Sequence, residues 1–379
     1  MEQTIIGAEN DYSQLDGWLR DSGAETVLLV CGKSIGRQAI GRYFEALPGR
    51  LGIRVVRFSA FAPNPVYESV REGVALFRRE GCQGLIAVGG GSAIDVAKCI
   101  RLWACLPGDG ADGAWLRQEG GGRDIPFLAM PTTAGTGSEA TRFAVIYEQG
   151  EKQSVTDESL IPDAVLLDPG ALKTLPEYQR KACMMDALCH AIESFWSVNS
   201  TEESREYSRR ATEAVLRHMD GYLANTDEGN AGMLMAAHTA GRAINLAQTT
   251  AGHAMCYKIT SLFGCAHGHA AALCDRVLYP WMTEHTALCR DPRGRAWLEG
   301  RLDDIGRAMG QKNAAQGAEK LGRIFDGLGL SVPGATEAQF AILRTSVNPV
   351  RMKNHPVTLD AAAIDALYRR ILSEENSEG

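Results

Sequence analysis

The stretch 251–270, AGHAMCYKITSLFGCAHGHA, holds three of the chain's eight histidines, His253, His267 and His269. Upstream, in MMDALCHAIESFW, Asp186 and His190 stand four residues apart. On a helix, positions i and i+4 share a face about one turn apart. One carboxylate and up to three imidazoles make a cage that suits a divalent transition metal. His253 and His267 are fourteen positions apart. On one straight helix that is about 21 Å, too far for a shared ion. The chain is therefore expected to fold back between them, and Gly264 offers the place, because glycine ends a helix at little steric cost.

A second chemistry is written in glycines and hydroxyls. LIAVGGGSAIDVAK sets three glycines directly after an apolar run and opens a helix at Ser92. Such a turn aims unpaired backbone N–H groups and a positive helix end at an anion, and its glycines let the backbone approach a pyrophosphate. It is not GxGxxG, and on this stretch alone a plain strand-to-helix turn capped by Ser92 fits as well. PTTAGTGSEAT, at 131–141, packs five hydroxyls and two glycines into eleven residues. That supplies small donors suited to phosphate, ribose and carboxamide, although an ordinary turn with Ser and Thr caps has the same composition.

Asp-x3-His, then His, then His fourteen residues on in an HG motif, joined by GGGSAIDVAK at 89–98, PTTAGTGSEAT at 131–141 and NPVRMKNHPV at 348–357, resembles the iron-containing (group III) alcohol dehydrogenase family. The match is collinear over nearly the whole chain. The resemblance implies Asp186, His190, His253 and His267 as metal ligands, three nitrogens and one oxygen. That set suits Fe(II), Zn(II), Ni(II) or Co(II). It implies diphosphate binding by Gly90, Gly91 and Ser92, Asp95 towards the nicotinamide, and Thr132, Thr133 and Ser138 as further cofactor contacts. The reaction implied is reversible aldehyde reduction or alcohol oxidation by hydride exchange with nicotinamide. Glycerol dehydrogenases and dehydroquinate synthases share the two-domain plan but bind zinc through fewer protein ligands. A nucleotide-binding protein with a structural metal is the non-enzymatic alternative, against which stands the lack of a thiolate cluster.

The chain departs from the family pattern at two informative places. NAD-preferring members carry an Asp after the first strand, where this chain has Gly32-Lys33-Ser34. Losing that carboxylate removes its repulsion of a 2′-phosphate, which Lys33 and Ser34 can bind, so NADP(H) is expected over NAD(H). Four residues after His253, many members carry another His; here stands Tyr257, followed by Lys258. A phenol is a much weaker proton acceptor than an imidazole at neutral pH. His269 or solvent could then supply the proton; alternatively His269 only caps or packs. The segments HAMCYKITSLFG, SFWSVNSTEESREY and TRFAVIYEQGEKQSV are similar to a subgroup of the family, the phosphonoacetaldehyde reductases. That implies a small anionic aldehyde or alcohol as substrate, with Lys258, Arg142, Arg351 and Lys353 as candidate cations. An uncharged short-chain aldehyde is the alternative.

The elements that must hold these residues follow from hydrophobic spacing. TVLLVC, at Thr26–Cys31, is apolar almost throughout and predicts a buried parallel strand. Further strands are expected at 54–58, 85–88, 126–130 and 164–168, and helices at 34–47, 64–80 and 92–104. Alternating strands and helices imply a parallel sheet with right-handed crossovers. Two apolar-polar runs around Gln149-Gly150 signal a hairpin. From about Pro176 long amphipathic helices take over, at 177–197, 201–223, 229–246, 250–263, 267–285 and 293–309. The expected fold is an α/β, Rossmann-like nucleotide-binding domain over 1–172 and an all-α metal-binding catalytic domain over 173–379. The active site is expected in the cleft between them.

Composition narrows the setting. A net charge of -7 gives no reason to expect nucleic acid or an anionic membrane as partner. Ten cysteines without a CxxC pair fit reduced thiols in a cytoplasmic protein rather than a disulfide frame. No signal-peptide core and no apolar run of about 20 residues is present. Cys189 and Cys256 are expected to pack, His218, His238, His285 and His355 to lie on surfaces or in satisfied hydrogen bonds, and a homodimer is left open.

Overall fold

Runs that are apolar at nearly every position become strands covered on both faces. The computed structural model describes residues 3–8, 11–118, 120–347 and 352–374. Its main sheet has six parallel strands, β1 (Thr4–Gly7), β2 (Thr26–Cys31), β3 (Arg54–Phe58), β4 (Gly84–Gly89), β5 (Phe127–Pro131) and β8 (Ala164–Leu167), in the order β1-β8-β5-β4-β2-β3. Alternate residues serve the two faces. Leu28, Val30, Leu85 and Ala87 join one core, which includes Val70 and Val74 of α3 (Tyr67–Arg79) and Ile100 of α4 (Gly91–Trp103). Val27, Leu29, Ile86 and Val88 join the other, with α1 (Gln14–Asp21) and α2 (Ala39–Leu51). The hairpin stands apart, β6 (Phe143–Glu148) against antiparallel β7 (Glu151–Thr156). Its turn residues Gln149 and Gly150 both have positive φ, 51° and 80°, as a tight hairpin turn requires.

Three elements differ from expectation. β1 has no apolar alternation to announce it: TIIG is mostly exposed at the sheet edge and pairs only with β8. The helix expected over 34–47 is a 3-10 turn, Lys33–Arg37, and then α2, separated by the extended backbone of Gln38. The helix expected from residue 64 starts at Tyr67, because Asn64 has a φ of 57° and precedes Pro65, which disfavours a helical residue before it.

The order of the strands places the glycine loops. The chain runs from β2 outward to β3, then returns to the other side of β2 for β4. That reversal between β2 and β4 is where open parallel sheets bind ligands, beyond the carboxyl ends of the strands. Gly32 leaves β2 there, Gly90 leaves β4, and Thr132 leaves the adjacent β5.

The second compact unit is helical: α5 (Glu177–Trp196), α6 (Glu202–Leu223), α7 (Asp227–Ala247), α8 (Ala251–Phe263), α9 (His267–Glu284), α10 (Arg295–Ala308), α11 (Ala314–Gly327), α12 (Glu337–Ser346) and a last helix, Ala361–Ile371. It also has one two-residue parallel pairing, Gly334–Ala335 with Ser373–Glu374. The units are Met1–Thr133 with Gly137–Thr174, and Ala134–Thr136 with Leu175–Gly379. The short excursion of Ala134–Thr136 into the helical unit depends on Gly135: a Cβ there would lie 2.9 Å from the Cys183 carbonyl oxygen.

Candidate active site

Asp186 and His190 lie on α5, which is buried almost throughout from Ala182 to Trp196. His253 is in the first turn of α8 and His267 is the first residue of α9. The chain reverses between them at Gly264, whose φ of 68° and ψ of 13° cap α8, a left-handed conformation that favours glycine. Gly268 then lets the first turn of α9 press on α5; a Cβ there would lie 2.1 Å from the Ala182 carbonyl oxygen and 2.5 Å from Asp186 Cβ. The glycine of the HG motif is thus a packing requirement beside His267.

These contacts bring ligand atoms of Asp186, His253 and His267 within 4.8 Å of one another. His190 does not join that set at this spacing, but its ring stacks on His253 at 4.4 Å between centroids. Asp186 Oδ1, His190 Nδ1 and His253 Nε2 are buried without a hydrogen-bond partner. A buried polar atom left unpaired costs roughly 1–3 kcal/mol, and a divalent cation among Asp186, His253 and His267 would relieve Asp186 Oδ1 and His253 Nε2 together. The donor set therefore fits the metal. Burial pushes His190 down to about 4, which keeps an imidazole lone pair available for coordination. Burial alone would also lower His253, but the Glu193 and Asp186 carboxylates override it and raise it to about 10. Burial would raise Asp186; the surrounding imidazoles hold it well below the usual carboxylate range instead.

Glu193 is a site residue absent from the sequence reading. It is fully buried. Its Oε1 accepts from the His253 backbone N–H at 3.0 Å and is paired with His253 Nδ1. Its Oε2 accepts from the Thr250 N–H at 2.5 Å and the Thr250 hydroxyl at 2.6 Å. The signal was present: Glu193 follows Asp186 by seven positions and His190 by three, which is the same helix face. Cys256, expected only to pack, also lies 3.7 Å from His267 Nδ1.

In the first unit, α4 begins at Gly91 with no side-chain cap on its N-terminus. Ser92 is therefore inside the first turn, and the helix end is left for an anion. A Cβ at Gly89 would lie 2.6 Å from Ala93 Cβ, so glycine permits the tight strand-to-helix packing. The Thr132 N–H binds the Gly89 carbonyl at 3.0 Å, and Thr133 lies beside Gly90. Asp95 and Ser138 face each other: the Ser138 hydroxyl donates to Asp95 Oδ1 at 2.7 Å, and the Val145 N–H donates to Oδ2 at 3.0 Å. Buried Lys98 donates to the carbonyls of Ser138, Thr141 and Phe143 at 2.6, 2.6 and 2.7 Å. Asp95 and Lys98 therefore tie α4 to the hydroxyl loop and the hairpin, a bracing part that the cofactor-contact expectation for Asp95 and Ser138 did not contain.

Residues 2–169 match the family model for iron-containing alcohol dehydrogenase, and residues 181–333 that for the C-terminal part of the Fe-containing alcohol dehydrogenase family. Alcohol dehydrogenase 4 of Schizosaccharomyces pombe is 30% identical over 305 residues, 79% of this chain and 70% of that protein. The chain belongs to the iron-containing alcohol dehydrogenase family. It is accordingly an oxidoreductase acting on aldehydes and alcohols. The phosphonoacetaldehyde reductase of Streptomyces viridochromogenes is 32% identical over 296 residues, 74% of each chain. Among solved structures, sulfoacetaldehyde reductase from Bifidobacterium kashiwanohense in complex with NAD+ superposes with a TM-score of 0.88 at 24% identity over 98% of both chains. That likeness shows the fold of this iron-containing alcohol dehydrogenase.

Within the family frame, the structure revises several expected roles. His269 Nε2 donates to the Ser331 carbonyl at 2.8 Å, and its Nδ1 accepts from the Tyr178 hydroxyl at 3.0 Å. Tyr178 in turn accepts from the Ala266 N–H at 2.8 Å. Both ring nitrogens are committed to hydrogen bonds that hold the start of α9, which favours the packing alternative for His269 over the proton relay. Tyr257 stacks on His267, 5.2 Å between centroids, and Lys258 beside it is half-buried. Arg142 is ion-paired with Glu158 at 2.6 Å, which removes it as a ready cation for substrate. Lys353 is exposed, while Arg351 and the Ser34 side chain lie outside the described residues. Of the histidines expected on surfaces or in satisfied hydrogen bonds, His238 and His355 are buried, and His285 Nδ1 is hydrogen-bonded to the Trp281 carbonyl at 2.7 Å. Among the described residues no helix is long and apolar enough to cross a membrane.

Proposed function

We propose that the chain is a metal- and NADPH-dependent reductase of a small anionic aldehyde, with phosphonoacetaldehyde reduced to 2-hydroxyethylphosphonate. The observation that carries this reading is Tyr257 stacked on His267, with Lys258 next to it in the chain, in a chain 32% identical over 74% of its length to a phosphonoacetaldehyde reductase. A divalent metal held by Asp186, His190, His253 and His267 would supply Lewis-acid polarisation of the carbonyl oxygen. The aldehyde takes a hydride from reduced nicotinamide and a proton from solvent, giving the primary alcohol and oxidised cofactor. Solvent is the proton source because the His269 nitrogens are committed and Tyr257 replaces the imidazole. Lys258 binds the phosphonate as a charged donor, in a cytoplasmic enzyme that engages neither nucleic acid nor membrane.

Lys258→Met is expected to raise KM for phosphonoacetaldehyde by about 10- to 100-fold, the worth of one charge-assisted hydrogen bond, and to leave KM for propanal nearly unchanged. Steady-state kinetics with both aldehydes measures this. A parent enzyme that prefers propanal, or a variant that affects both alike, favours the reading as a general short-chain alcohol dehydrogenase.

For the cofactor, Arg57 adds a cation that the sequence reading did not include. Its guanidinium donates to the Gly32 carbonyl at 3.0 Å, beside exposed Lys33. Two cations at the end of β2 and no carboxylate in Gly32-Lys33-Ser34 support a 2′-phosphate there. kcat/KM for NADPH is expected to exceed that for NADH. Lys33→Ala should cost about tenfold with NADPH and little with NADH. A clear NADH preference in the parent would reverse the assignment.

A further inference from the structure

His253 reaches its neighbours through both ring nitrogens. Nδ1 meets Glu193 Oε1, and Nε2 lies 3.5 Å from Asp186 Oδ1 without a hydrogen bond to it. Behind Glu193 lies a second carboxyl, Asp275 on α9, fully buried beside Glu193 and the Cys189 thiol. The two carboxyls converge at Gly252. A Cβ on that residue would lie 2.0 Å from Asp275 Oδ1 and 2.6 Å from Glu193 Oε1. Any larger residue would have to displace one of them.

We propose that Glu193 and Asp275 act as positioning residues, which hold the His253 imidazole with Nδ1 on Glu193 and Nε2 turned to the metal, and that residue 252 is glycine to admit both carboxyls. The inference rests on the ligand assignment of the proposed function and deepens it. Two carboxylates this close in a dry interior do not both ionise. Glu193 is already the acceptor for three donors, so the shared proton sits on Asp275, which donates it to Glu193. Glu193 already takes both Thr250 donors and the His253 backbone N–H, so its carboxylate is fixed in place from three sides. A fixed acceptor at Nδ1 selects the tautomer in which Nε2 offers its lone pair, which is how outer carboxylates orient histidine ligands. The carboxyl chain Asp275, Glu193, His253 thus spans α9, α5 and α8 and sets the direction of one ligand.

Asparagine and leucine at position 275 separate positioning from mere packing. The amide introduced by Asp275→Asn can donate to Glu193 as a carboxylic acid does; the side chain introduced by Asp275→Leu fills similar space and cannot. Zn(II) affinity of the purified full chain, by competition with a chromophoric chelator, is the readout, with apo-protein melting temperature beside it. Asp275→Leu is expected to weaken Zn(II) binding by about 10- to 100-fold, and Asp275→Asn to stay close to the parent. Glu193→Gln, which sets an amide N–H against the Thr250 donors, should weaken binding in the same range. It carries the test if Asp275→Leu does not fold. Equal Zn(II) affinity for Asp275→Asn and Asp275→Leu, or parent-like affinity for Glu193→Gln, overturns the inference and leaves the ligand assignment standing. Parent-like affinity for His253→Ala overturns the ligand assignment, and this inference with it.

Discussion

Alanine at Asp186, His190 or His267 is expected to strip metal from the protein and to lower turnover by at least about 100-fold, since Lewis-acid stabilisation is worth several kcal/mol and each 1.36 kcal/mol is a factor of about ten. Asp186 Oδ1 and His190 Nδ1 are among the buried atoms without a partner, and His267 shares the cluster with Asp186 and His253. The fold is expected to survive. α5 alone buries Met184, Met185, Leu188, Ile192, Phe195 and Trp196, and full burial of such side chains is worth roughly 1.5–3 kcal/mol each. Losing one polar ligand does not cancel that. Elemental analysis, aldehyde-dependent NADPH oxidation and far-ultraviolet circular dichroism together test it. If all three variants keep their metal and turn over normally, the ligand assignment is wrong. Chelation of the parent separates the roles of the ion: lost hydride transfer in a folded protein marks a catalytic metal, and unfolding marks a structural one.

Gly91→Val is expected to abolish cofactor binding in the working concentration range while metal content stays that of the parent. Gly91 opens α4, whose first turn has no side-chain cap, at the end of β4 beside the reversal of strand order. A branched side chain there covers the N–H groups that a diphosphate must reach. The substitution should be tolerated by the fold, because Gly91 is a helical residue without a positive φ. Metal content is expected to be unaffected because the proposed metal ligands lie in the other compact unit. Nicotinamide fluorescence titration beside metal analysis reads both halves. Normal cofactor affinity would remove the diphosphate assignment from this loop, whereas loss of metal would show that the two sites depend on each other.

Much of the scaffold was legible because its causes are local. TVLLVC reads as a doubly covered strand and forms β2 with the expected ends, since a continuous apolar run suits both faces of a buried sheet. The reversal at Gly264 was legible because the distance along a straight helix is fixed by its rise per residue, and a left-handed cap needs glycine. β1 was not legible. Its four residues are held by pairing with β8, residues 164–167, and an exposed edge strand carries no periodic signature of its own.

The amino-acid order alone dictates the alternation of strands and helices, the change to helices near residue 176, the Asp-His-His-His residue types and their spacing, and the absence of an acidic residue after β2. Each depends on residues close in the chain or on covalent chemistry. Which side chains meet is settled by the folded molecule. Folding sets Gly32, Gly90 and Thr132 at one end of adjacent strands, because strand order is a long-range property. It commits both nitrogens of His269 to Tyr178 and Ser331, and pairs Arg142 with Glu158. It brings Asp275 of α9 to Glu193 of α5 across Gly252 of α8. Donors and acceptors far apart in sequence are satisfied by whichever partners packing delivers, and burial makes those pairings obligatory once water is gone.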